Sequence, residues 1–158
     1  KSILVLQGPN LNLVGTREPS VYGRASLADW LNARLPEWSQ QGAEVHTLQS
    51  NHEGELIDAL HHHGFTADGI VFNPGGFTHT SVALRDAVAA ISAPVVEVHL
   101  TNIYAREPFR QHSMISGACT AVISGLGFAG YEAAIQYLLL TEAKSKPLPA
   151  EPTGSQEP

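Results

Sequence analysis

Thiols, amines and excess positive charge are scarce in this 158-residue chain. Cys119 is the only cysteine, so no internal disulfide can form; its neighbours at 118–124 read as a buried strand, where a thiol is an inert small apolar group. A cytoplasmic location is expected from that. The lysines are Lys1, Lys144 and Lys146, all at the chain ends, which leaves none for a desolvated pocket where it could form a Schiff base with a ketone. A net charge of -6 and a pI of about 5.7 give no general attraction to phosphate backbones or anionic membranes, so neither nucleic acid nor a membrane is expected as partner. The apolar run at 3–6 is too short for a signal segment or a membrane span. No G-x-S-x-G elbow and no H-E-x-x-H spacing occurs.

What is present is apolar and regularly spaced. With 43% hydrophobic and 15% charged residues, the chain has the content of one globular domain, placed at 1–145. Residues 146–158, rich in Pro, Gly, Ser and Glu, read as a disordered tail. Strand-like runs at 3–7, 43–49, 69–73, 94–100 and 119–124 alternate with helical patterns at 26–41, 53–63, 80–91 and 131–143. That alternation predicts an α/β three-layer sandwich, flavodoxin-like, with a five-stranded parallel sheet of order 2-1-3-4-5 covered on both faces. Ligands on such sheets bind beyond the carboxyl ends of the strands.

Three strand exits carry unusual polar residues: Asn10 after the first, Asn73 and His79 after the third, and Glu97 with His99 on one face of the fourth. These exits are expected to converge on one crevice. A long loop at 13–24, holding Arg17 and Tyr22 among Gly15, Pro19 and Gly23, suits a lid. Each residue also has a plain reading: Asn10 and Asn73 as turn-formers beside proline, Tyr22 as a loop staple, His99 as a satisfied core histidine, Arg110 and Asp86 as solvated surface. Joint placement is what favours a site. The G-x-G-x-x-G run at 125–130 follows a strand and opens a helix, but no later strand or acidic residue completes a dinucleotide site; a tight turn with close helix-to-sheet packing explains it. His61, His62 and His63 point in different directions along a helix and are read as a polar helix end rather than metal ligands.

Gly8-Pro9-Asn10-Leu11-Asn12 followed by Gly15-Thr16-Arg17-Glu18-Pro19 and Tyr22-Gly23 resembles the opening signature of the type II 3-dehydroquinate dehydratases. Three further blocks agree in order and spacing: Gln49-Ser50-Asn51-His52-Glu53-Gly54-Glu55, Asn73-Pro74-Gly75-Gly76-Phe77-Thr78-His79, and Glu97-Val98-His99 with Asn102, Ala105-Arg106-Glu107 and Phe109-Arg110. The resemblance implies a hydro-lyase acting on 3-dehydroquinate without a cofactor or metal. It implies Tyr22 as base, Arg17 as its activator, His99 as acid supported by Glu97, and Asn10 stabilising an enolate through a water. By the same resemblance Asn73, His79 and Arg110 bind substrate, the backbone at Leu100 and Thr101 takes its carboxylate, and Asp86 reaches a neighbouring subunit's site within a dodecamer built as a tetramer of trimers. Thr101 stands where serine is common and keeps the hydroxyl.

Those residue types suit an elimination next to a ketone, which needs a base, a group to hold the enolate and an acid for the leaving oxygen. A phenol with pKa near 10 is ionised to about one part in a thousand at pH 7, a deficit of roughly 4 kcal/mol. A guanidinium nearby supplies much of that, since opposite charge lowers an acid's pKa by about one to three units. A carboxylate beside a histidine favours the imidazolium, so acid and base are tuned in opposite directions. The same architecture hosts receivers and flavin modules. A receiver would want acidic residues at the first exit, where residues 7–12 have none, and the intact catalytic set argues against an inactive homologue kept for assembly.

Overall fold

A computed structural model describes residues 1–15 and 26–142. Five strands form one sheet in the order β2-β1-β3-β4-β5: β1 Ser2–Gln7, β2 Glu44–Gln49, β3 Gly69–Asn73, β4 Val95–His99 and β5 Ala121–Ser124. All four pairings are parallel. Four helices alternate with them: α1 Leu27–Gln40, α2 Glu53–His63, α3 Val82–Ala90 and α4 Ala129–Leu140. This is the architecture expected from the alternating pattern.

Period two along the strands divides the core in two. Ile3 and Val5 of β1 join Val71, Val96 and Val98 under α1 and α4, where they meet Leu27, Leu31, Trp38, Tyr131 and Ile135. Leu4, Leu6, Ile70, Phe72 and Val95 face the other way, against Leu56 and Leu60 of α2 and Leu84 and Val88 of α3. Burial of side chains this size contributes about 1.5–3 kcal/mol each. Hydroxyls fix two of the helix starts: at α1 Ser26 accepts from the Asp29 N–H, and at α3 Ser81 accepts from the Leu84 N–H.

Two expectations need correction. Both faces are covered along β3 and β4, and along β1 after Ser2, but five of the six residues of β2 are exposed. β2 is an edge strand carrying Glu44, His46, Thr47 and Gln49, side chains that need no cover. Nor is 119–124 a buried strand: β5 begins only at Ala121, is the other edge, and is not fully buried at any position. Cys119 instead caps a short 3-10 turn, Ser116–Ala118, and is half-buried.

The register places the strand exits level with one another. Gln7 pairs with Gln49 and Asn73, Phe72 with Glu97, and His99 with Ser124. The first and third exits are also pinned backbone to backbone, the Gly8 N–H donating to the Asn73 carbonyl at 2.7 Å. A Cβ on Gly8 would lie 2.4 Å from the Pro74 carbonyl oxygen, so that approach requires glycine. Among the described residues no helix is long and apolar enough to cross a membrane. The expected lid residues Arg17 and Tyr22 and the expected tail at 146–158 lie outside the described residues.

Candidate active site

The crevice expected at the strand exits is there, with a volume of about 600 Å³. Asn10 from the first exit, Asn73, Gly75 and His79 from the third, and His99, Leu100 and Thr101 from the fourth line it, joined by Arg106 and Arg110. Asn10 has φ 68, the only left-handed residue other than glycine among those described. Asparagine tolerates that conformation better than most side chains. Its backbone N–H donates to Asn51 Oδ1 at 3.0 Å, so the second strand's exit steadies the first.

Glu97 and His99 share a face of β4, as alternation predicts, and His99 Nε2 lies 2.6 Å from Glu97 Oε1. Glu97 is fully buried. A charge so placed needs donors, and it has them: Thr78 Oγ1 donates to Oε1 at 2.5 Å and Ser116 Oγ to Oε2 at 2.5 Å. With its hydrogen spent on Glu97, the Thr78 oxygen accepts from Ser113 Oγ at 2.6 Å. Burial pushes the Glu97 carboxyl up, but the hydrogen bonds from His99, Ser116 and Thr78, with the charge of His99, outweigh it and hold the carboxyl below its ordinary range. An ionised carboxylate only accepts, so Nε2 carries hydrogen and Nδ1 is the ring nitrogen left for a ligand in the crevice.

His79 is oriented in the same way. Its Nδ1 is 2.8 Å from the His112 carbonyl, which can only accept, so Nδ1 donates and Nε2 is left to a ligand. Arg110 Nε donates to Glu107 at 3.0 Å, and Arg106 reaches both Glu107, at 3.7 Å, and Thr101 Oγ1, at 3.4 Å. Glu107 is held low by its own backbone N–H first, then by Arg110 and Arg106. Among the described residues nothing accepts from the N–H groups of Leu100 and Thr101: past His99 the ladder with β5 has ended, and these donors border the crevice. Two arginines and two unspent backbone donors suit an anionic ligand bearing hydroxyls.

Asp86 is not brought into this crevice; it is exposed on α3. Arg17 and Tyr22 lie outside the described residues. The reading of the sequence left Thr78, Ser113, Ser116, Asn51, Tyr131 and Arg106 without roles of their own. A carboxylate inside the apolar run Val95-Val96-Glu97-Val98 signals that donors must exist, but Thr78, Ser113 and Ser116 come from other loops. The glycines at 125–130 act as expected: Gly125 and Gly127 have φ of 91 and 57, and Gly130 lies against Val98. At the end of α2, burial pushes His63 down, and the neighbouring His62 and His46 add to that.

Residues 1–139 match the family model described as "Dehydroquinase class II". A 3-dehydroquinate dehydratase of Janthinobacterium sp. (strain Marseille) is 56% identical over 142 residues, 88% of this chain and 97% of that protein. The "Catabolic 3-dehydroquinase 2" of Aspergillus terreus is 51% identical over 136 residues, 86% of this chain and 92% of its own. Among solved structures, the type II dehydroquinase from Butyrivibrio crossotus superposes with a TM-score of 0.82 at 42% identity, covering 87% of this chain and 96% of that one.

Proposed function

The chain belongs to the class II dehydroquinases, a family of lyases, and from that footing we propose that it converts 3-dehydroquinate to 3-dehydroshikimate and water by anti elimination through an enolate. Tyr22 is the base, activated by Arg17; it takes the proton beside the ketone. Asn10, through a bound water, steadies the enolate oxygen. His99 delivers a proton to the departing hydroxyl, and Glu97 holds the ring for that delivery. Asn73, His79 and Arg110 bind the substrate, the N–H groups of Leu100 and Thr101 take its carboxylate, and Asp86 completes the site of a neighbouring subunit in a tetramer of trimers. Neither metal nor cofactor takes part, and the pathway served is biosynthetic or catabolic; the Aspergillus terreus relative is named a catabolic enzyme.

The observation that carries this reading is the buried Glu97–His99 pair, whose His99 lines a crevice rich in donors. It supports an acid that is oriented before substrate arrives, which is what proton delivery to a leaving group requires. Two further facts support Tyr22. Tyr131 is fully buried and burial pushes its phenol well above the ordinary range, which disqualifies it as a base. Tyr104 and Tyr137 do not line the crevice.

The test is to add 3-dehydroquinate and follow the ultraviolet absorbance of the conjugated product. Tyr22→Phe and His99→Ala are each expected to lower kcat by at least about 10²-fold with the circular dichroism spectrum unchanged. Full turnover by Tyr22→Phe would remove the phenolate from the mechanism. Borohydride added with substrate should leave the wild-type enzyme active, since the elimination passes through no imine; inactivation would point to a lysine after all.

A further inference from the structure

The glycine run at 125–130 is more than a turn. Gly130 lets α4 approach β4 so closely that a Cβ there would meet Val98 Cγ1 at 3.1 Å. The next residue, Tyr131, is thereby pressed under the sheet, fully buried, with its hydroxyl oxygen 3.0 Å from Asn73 Nδ2. On its other side Asn73 Oδ1 accepts from the Gly75 N–H at 3.1 Å. A backbone N–H can only donate, so the Asn73 atom facing Gly75 is the oxygen and the atom facing Tyr131 is the nitrogen. One hydrogen of Nδ2 is spent on Tyr131, and one remains for the crevice that Asn73 borders.

We propose that Tyr131 is a positioning residue: its hydroxyl fixes the Asn73 amide so that the second Nδ2 hydrogen faces the crevice and meets an acceptor oxygen of the substrate. The inference rests on the reading of Asn73 as a substrate contact. Without the hydroxyl, a nearly buried amide has an unpaired N–H on its inner side, and it turns or shifts to satisfy that hydrogen. The ligand then meets a misplaced donor. Binding suffers before chemistry does, because Asn73 is not among the groups that move protons.

Steady-state kinetics on purified Tyr131→Phe with 3-dehydroquinate should show KM raised about five- to tenfold and kcat within about twofold of wild type. On an Asn73→Ala background the same change should have little further effect on KM, since the hydroxyl has no amide left to orient. Thermal unfolding of all four proteins, run alongside, removes global instability as the explanation. Asn73→Asp gives an independent readout: Tyr131 can donate to the new carboxylate and Gly75 still donates to it, but no N–H faces the crevice, so KM should rise more than in Asn73→Ala. Wild-type KM in Tyr131→Phe, an undiminished KM effect on the Asn73→Ala background, or wild-type KM in Asn73→Asp would each overturn the assignment. If the wild-type chain itself gave no turnover, the proposed function would fall and this inference with it; normal turnover with an unchanged KM in Tyr131→Phe sinks the inference alone.

Discussion

Among the described residues Glu97 has no lysine or arginine beside it, yet its carboxyl is held below its ordinary range inside the protein by a ring nitrogen and two hydroxyls. Glu97→Gln keeps the shape and puts an NH2 group where donors already converge. We expect a loss of about 1–3 kcal/mol in denaturant unfolding, the range for a buried polar group left unpaired. We expect kcat to fall about 10- to 100-fold, less than on removal of the acid itself. The pH dependence has a definite sign. A carboxyl whose folded pKa lies below its unfolded value contributes stability above the unfolded value, about 4.3, and loses it as the pH falls through that value and the folded one below it. Unfolding free energy measured from pH 6 down to pH 3 should therefore drop less steeply in Glu97→Gln than in wild type; equal slopes would mean that Glu97 is not the carboxyl responsible. Alternation made the pairing of Glu97 with His99 legible, since residues two apart on a strand share a face. The hydroxyls were not legible, because nothing local ties Thr78 or Ser116 to a strand about twenty residues away in sequence.

The strands and helices could be read because each carries its own period and stop signals. α2 begins after the exit of β2 and ends at Gly64, and β3 ends at Asn73-Pro74, where the ring forbids a further ladder bond. Edges were harder. An apolar run such as Ala121-Val122-Ile123 reads the same in the middle of a sheet as at its rim, which is why β5 was expected to be buried and is not. Gly8 marks another limit. The sequence presents it as a turn-former before Pro9, whereas the structure gives it a reason that involves Pro74, a residue from a different strand exit. Gly8→Ala should accordingly cost about 2–4 kcal/mol in urea unfolding, more than an exposed glycine-to-alanine change, because the obstacle is backbone that cannot rotate away. It should also depress turnover, since Asn10 and Asn73 stand on the two exits that must separate. Gly54, where an added Cβ meets nothing, serves as the control: Gly54→Ala should leave stability the same or slightly higher. Equal effects at Gly8 and Gly54 would show that the two exits do not depend on that contact.

One chain supplies a crevice with a buried Glu97–His99 pair, donors and arginines, but Asp86 is exposed on α3 and stands apart from it. If Asp86 serves a neighbour, no single chain holds a complete site, and assembly becomes part of catalysis. For the proposed tetramer of trimers, light scattering should give a mass about twelve times the chain's 16.9 kDa. A sharper test uses the separation of the two contributions. Tyr22→Phe spoils the site a chain builds for itself, while Asp86→Ala spoils the site it completes next door, so each pure assembly is weak. When the two variants are mixed, dissociated and reassembled, a site regains both groups wherever an Asp86→Ala chain, with its own Tyr22 intact, lies beside a Tyr22→Phe chain that still has Asp86. Random mixing in equal parts gives about a quarter of the sites that arrangement, so turnover should recover toward about a quarter of the wild-type value. Recovery requires reassembly, and mixing intact oligomers should give none. If both groups belonged to one chain's site, no mixed assembly would contain a complete set, and activity would stay at the level of the parents.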